Sequence, residues 1–146
     1  MKRLPLLILV LLAVSVVSAA VVWDVHRLDR DFRHLFSLLN QARLDAFYKD
    51  TTVIVKFGDR AVTVSDGKGS RCVTSIPSLS AVDYDTTLGQ DRIVYTWRGT
   101  AQHNRREHGG EILLKSRLGF RRYLHVNCNG LVREGRYPGG LPPPPR

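Results

Sequence analysis

Residues 28–57 read LDRDFRHLFSLLNQARLDAFYKDTTVIVKF, and the change of period inside this stretch decides the fold. Leu28, Phe32, Leu35, Leu39, Ala42 and Ala46 recur at spacings of four, three, four, three and four, which is one apolar stripe down an α-helix. Arg27, Asp29, Arg30, Asp31, Arg33, Gln41, Arg43 and Asp45 fall between them and are expected on the wet faces. From Thr51 the pattern turns alternating, rich in β-branched and aromatic residues. The expected fold class is therefore α+β: a long N-terminal helix packed on an antiparallel β-sheet or β-sandwich domain.

Upstream of the stripe, Lys2 and Arg3 precede an uncharged run over residues 4–23. At 1.5 Å per residue such a run makes a helix of about 30 Å, the thickness of a hydrocarbon core. Both basic residues lie on its N-terminal side, so the positive-inside rule places Met1 in the cytoplasm and the rest of the chain outside. A cleaved signal peptide is the rival reading, because Ser18-Ala19-Ala20 supplies the small residues a signal peptidase reads. The released β domain would then begin near Val21. Continuity of the helical pattern favours retention: residues 6–49 contain no glycine, and Pro5 sits in the first turn, where proline is tolerated.

Downstream, residues 52–57 and 61–65 flank Gly58-Asp59-Arg60, the length of a tight hairpin loop, and Asp66-Gly67-Lys68-Gly69 makes a second turn before residues 71–76. Residues 93–97, 111–115 and 123–127 read as further strands, and Asn129-Gly130 turns the chain into a returning strand over 131–133. Residues 98–110, polar and glycine-bounded, are expected to form an exposed loop. The expected division is a span or signal segment over 1–23, its amphipathic continuation over 24–50, a β-rich domain over 51–137 and a disordered proline-rich tail over 138–146.

The hydrophobic content of 43% and mean hydropathy of −0.15 are those of a chain that folds without metals. Of the net charge of +9, the segment 92–146 holds +8, with 11 Lys and Arg against 3 Glu. That asymmetry points to an anionic partner, whether nucleic acid, a phospholipid surface or an acidic protein face, or else to a solubilising surface. Arg117, Arg121, Arg122, Arg133 and Arg136 are the candidate phosphate ligands. Cys72 and Cys128, an even count in an exported chain, are the candidate disulfide, and closing a loop of that length stabilises by about 4 kcal/mol in the chain-entropy model. Two unbonded thiols are the alternative.

Catalytic signatures are missing. There is no Gly-x-Ser-x-Gly elbow, His-Glu-x-x-His helix or Cys-x-x-Cys pair. Gly67-Lys68-Gly69-Ser70 lacks the upstream glycine of a phosphate loop and is read as a turn. His103, Glu107 and His108 sit in the arginine-rich loop, where a metal cation would be repelled, and His125 is read as a structural strand residue. No catalytic group, metal or cofactor is expected.

The hydrophobic span running into Leu38-Leu39-Asn40-Gln41-Ala42-Arg43-Leu44-Asp45-Ala46-Phe47 and then Thr52-Val53-Ile54-Val55 resembles the GspH/FimT family of minor pseudopilins. Those proteins commonly read leucine, two residues, Ala-Arg, two residues, alanine at this helix end before a valine-rich strand. Gly110-Glu111-Ile112-Leu113-Leu114, Tyr123-Leu124-His125-Val126 and Gly130-Leu131-Val132-Arg133 are similar to the family's closing hairpin, which usually ends Gly-Arg-Val-Arg. By layout the resemblance covers residues 4–136.

The resemblance implies a structural subunit of a type II secretion or type IV pilus-like filament. It would be anchored in the bacterial inner membrane, with a periplasmic β domain. Its partners would be other pseudopilin or pilin subunits and inner-membrane lipid, with no small-molecule substrate. DNA is the alternative partner, as in FimT-like pilins. Two departures stand out. The family's glycine cleavage site followed by Phe-Thr-Leu-Ile-Glu has no counterpart, the first glutamate being Glu107, and Leu131 replaces the first arginine of the closing motif.

Overall fold

The computed structural model describes residues 3–83, 91–102 and 110–135. Helix α1 (Arg3–Tyr48) runs unbroken for 46 residues, about 69 Å at 1.5 Å per residue. It stops where Asp50 turns left-handed at φ 49 and the Thr51 N–H closes on the Ala46 carbonyl at 3.1 Å, a C-cap that satisfies a terminal carbonyl. The two halves of the rod meet different surroundings. Leu9, Val16 and Trp23 are 67%, 67% and 74% exposed, whereas Leu28, Phe32, Leu35, Leu39, Ala42 and Ala46 are all buried. One helix therefore carries an unpacked apolar half, long and apolar enough to cross a membrane, and a packed half.

The strands build two antiparallel sheets. The first orders β3 (Arg71–Ser75), β2 (Ala61–Asp66), β1 (Val53–Gly58), β5 (Arg92–Tyr95) and β6 (Ala101–Gln102). The second orders β4 (Leu79–Asp83), β7 (Gly110–Lys115), β8 (Arg121–Val126) and β9 (Val132–Gly135). Alternation sends Val53 and Val55 of β1, Ile112 and Leu114 of β7, and Leu124 and Val126 of β8 inward, where they join the α1 stripe in one core. At the far end of the helix, the turn between β8 and β9 packs against the turn between β5 and β6. Gly130 there has φ 73, and a Cβ would lie 2.5 Å from the Gly99 carbonyl oxygen, so only glycine fits.

The structure departs from the sequence reading at several places. Asp31 is not on a wet face: it is 4% exposed, because Ser78, distant in sequence, covers and hydrogen-bonds it. Residues 98–110 are not wholly a loop, since Ala101–Gln102 pairs with β5 and β7 begins at Gly110. The fourth strand, β4, pairs with β7 across a register shift between Leu79 and Ala81 that breaks period-two alternation. Cys72 and Cys128 are free thiols in place of the expected disulfide: Cys72 is exposed on β3, at the edge of the first sheet, and Cys128 lies in the β8–β9 turn. Residues 103–109, with His103, Glu107 and His108, and the expected tail lie outside the described residues.

Leu35→Ala or Leu39→Ala, each fully buried, is expected to destabilise the domain by about 2–5 kcal/mol. Leu44→Ala, 43% exposed on the same helix, should stay within about 0.5 kcal/mol of the parent. Denaturant unfolding of the three variants checks the contrast; equal losses would contradict the packing described.

Candidate functional site

Asp24 is the first charged residue after the apolar run, and α1 presents it to the turn between β7 and β8. Its Oδ1 accepts the Arg117 N–H at 3.3 Å, its Oδ2 accepts the Leu118 N–H at 3.0 Å, and the Ser116 side chain also hydrogen-bonds it. The Ser116 Oγ in turn accepts the Phe120 N–H at 3.1 Å, so one carboxylate and one hydroxyl order the whole turn. Ser116 and then the two backbone N–H groups and the Arg117 charge hold the Asp24 carboxyl below the usual carboxylate range, against the opposing push of burial.

Seven residues and about two turns further on, Asp31 makes a second clamp of the same kind. Its Oδ2 accepts the Ser78 N–H at 3.1 Å and the Ser78 hydroxyl at 2.7 Å, fixing the turn that leads into β4. A carboxylate at the edge of a hydrophobic stripe is tolerated only when donors replace its water, and both aspartates have them. Between them, Asp29 takes Arg122: Nη2 lies 2.5 Å from Asp29 Oδ1, Nη1 lies 2.6 Å from Glu134 Oε1, and the guanidinium stacks 5.0 Å over the Phe32 ring. Helix and second sheet are thus joined by polar clamps at each end of a short segment.

Beside the Asp24 clamp opens a cleft of about 250 Å³ whose walls include Arg27, Arg60, Lys115 and Arg117 together with Ser78 and Ser80. Among the described residues none of these four cations forms an ion pair. The β7–β8 turn next to it exposes Leu118 at 55% and Phe120 at 42%. A second hollow of about 230 Å³ lies at the other end of the domain between Phe47, Tyr48 and Arg98, where Arg43 Nε donates to the Gly99 carbonyl at 2.9 Å.

The five candidate arginines do not converge. Arg117 and Arg121 flank the β7–β8 turn, while Arg122 is on the inward face of β8 with Leu124 and Val126 and is neutralised by Asp29 and Glu134. Arg133 pairs in register with His125 on the outward face shared with Arg121, about 13 Å away at 3.3 Å per residue. Arg136 lies outside the described residues. Among the described residues no group of three metal-binding side chains occurs. The Gly67-Lys68-Gly69-Ser70 segment is a turn in which Asp66 Oδ1 accepts the Lys68 and Ser70 N–H groups at 3.1 and 2.8 Å.

The residues that sequence reasoning missed are Asp24, Asp31, Ser78 and Ser116. A signal was present: positions 24, 28, 31, 35 and 39 continue the four-three spacing of the stripe, so both aspartates belong to its buried side.

Because the folded-state pKa of Asp24 is depressed, its contribution to stability is complete above about pH 4 and is lost as pH falls through the folded value. Asp24→Asn should therefore unfold more easily than the parent at pH 7, and the gap should close below about pH 4. Thermal melts from pH 7 to pH 2 check this; a gap that stays constant would contradict the charge-assisted clamp.

Comparison with known proteins adds no relative: no family model, no curated protein and no solved structure matches this chain.

Proposed function

We propose that this chain is a non-enzymatic structural subunit of a pseudopilin-like filament, rooted in a membrane by the first half of α1 and carrying its β domain on the far side. The observation that carries the reading is the single helix with two surfaces, apolar and unpacked over Ile8 to Trp23 and buried in its own domain from Leu28. Such a helix stores the subunit in lipid and offers neighbours an apolar rod to pack against. The family resemblance of the Leu39 to Ala46 segment supplies the type of assembly, with the inner membrane and periplasm as its setting. No reacting group is required.

The nucleic-acid reading is the weaker one. It retains Arg121 and Arg133 on an outward face but loses Arg122 to Asp29 and Glu134.

The test is cross-linking in native membranes. A photo-reactive phenylalanine analogue, which on irradiation inserts into C–H bonds of whatever chain adjoins it, is placed one position at a time from Leu9 to Val17. Covalent adducts, with itself or with another small helical subunit, are expected at positions recurring about every 3.6 residues. A chain that stays monomeric at every position contradicts the filament reading.

A further inference from the structure

The helix fixes the height of the basic cleft relative to a bilayer. Trp23 closes the apolar run, and tryptophan favours the membrane–water boundary. Arg27 stands about 6 Å further along the axis, and its side chain leans back toward the helix N-terminus, as helical side chains do. The polar headgroup layer on one side of a bilayer is about 5–8 Å thick, so Arg27 and the cleft it lines fall within that layer.

The Asp24 clamp then brings the β7–β8 turn to the same height, and does so rigidly, through three hydrogen-bonding groups of the turn. What the turn exposes there is mixed in character. Leu118 and Phe120 are apolar and unpacked, Arg117 and Arg121 flank them, and Gly119 at φ 93 has nothing within 4 Å of a Cβ, so the tip stands clear of the domain. An apolar tip rimmed by arginines suits neither bulk water nor hydrocarbon alone. It suits the interface.

We propose that the cleft between Arg27, Arg60, Lys115 and Arg117 binds the phosphate of an anionic phospholipid in the leaflet next to the domain, while Leu118 and Phe120 enter the acyl boundary. Four cations, none of them in an ion pair among the described residues, outweigh the one negative charge of Asp24, and the exposed Ser80 hydroxyl on the cleft wall is available to headgroup oxygens. Among the described residues lining the cleft, Asp24 is the one carboxylate, and both its oxygens are held by the turn. The site would fix the tilt and rotation of the domain over the membrane. The inference rests on α1 crossing the bilayer, and it is independent of what the helix packs against there.

The full chain in a neutral detergent, titrated with phosphatidylglycerol, phosphatidylcholine or inorganic phosphate while its thermal midpoint is followed, tests the site. Phosphatidylglycerol should raise the midpoint in a saturable way, and phosphatidylcholine should not. Arg27→Gln and Arg117→Gln should each raise the lipid concentration for half the effect about fivefold, the factor equivalent to about 1 kcal/mol per basic residue at an anionic surface. Arg133→Gln, on the outward face, should leave it unchanged.

Should either cleft variant melt early without lipid, a polarity-sensitive label at Leu118→Cys in the Cys72→Ser, Cys128→Ser background gives the second readout. Its emission should shift to the blue in phosphatidylglycerol vesicles. Equal response to both lipids, unchanged titrations in the cleft variants, or a water-exposed label overturns the proposal. An equal response to inorganic phosphate makes this a free-anion site and overturns the lipid assignment. Failure of the cross-linking between spans would leave the titration readable, because lipid binding is measured on the single chain.

Discussion

One unbroken rod with two kinds of surface, an unpacked apolar one and a packed one, is the constraint on which the rest of this structure depends. From Ile8 to Trp23 the large apolar side chains of α1 are mostly exposed, and from Leu28 the same helix is the central element of a core. A helix can change surroundings in so few residues only if the domain is fastened to it at the crossing point. The Asp24 carboxylate does this by capturing the β7–β8 turn, and Asp31 repeats the device about two turns later with Ser78. Removing water from two carboxylates is costly, and the donors that replace it come from turns whose own geometry they define.

The division of labour along the helix follows. Hydrophobic burial between Leu28 and Ala46 supplies most of the driving force for docking the sheets, being non-directional and proportional to area. It does not by itself fix the axial position of the sheets on the rod. The directional contacts do: Asp24, Asp29 and Asp31 at the end next to the apolar segment, and Arg43 on the Gly99 carbonyl at the other. The second sheet is thereby held at a defined height above the apolar segment, and the basic cleft is a product of that registration.

Much of this was legible in the sequence because it is local. The four-three stripe, the shift to alternation at Thr51 and the Asn129-Gly130 turn all act within a few residues, and α1, β1, β2 and the β7–β8–β9 meander follow from them. What was illegible depended on partners far along the chain. Helical spacing already put Asp31 on the buried side of the stripe, but its partner Ser78, 47 residues away, left no local trace. Even parity of the cysteines carries no distance, and one ended on an edge strand while the other lies in the β8–β9 turn, both unbonded. Counting arginines carries no facing either, although strand alternation already placed Arg122 with Leu124 and Val126, opposite to Arg121 and Arg133. Strand β4 escaped because its register shift broke the pattern by which strands are recognised.

Hydrogen exchange of the full chain in lipid nanodiscs, resolved along α1, tests the central claim most directly. An unbroken helix clamped to its domain predicts slow exchange from Ile8 through Phe47, including the crossing region at residues 22–27, where neither lipid nor core fully covers the backbone. Rapid exchange confined to residues 22–27 would mean a hinge between anchor and domain, and would contradict the account.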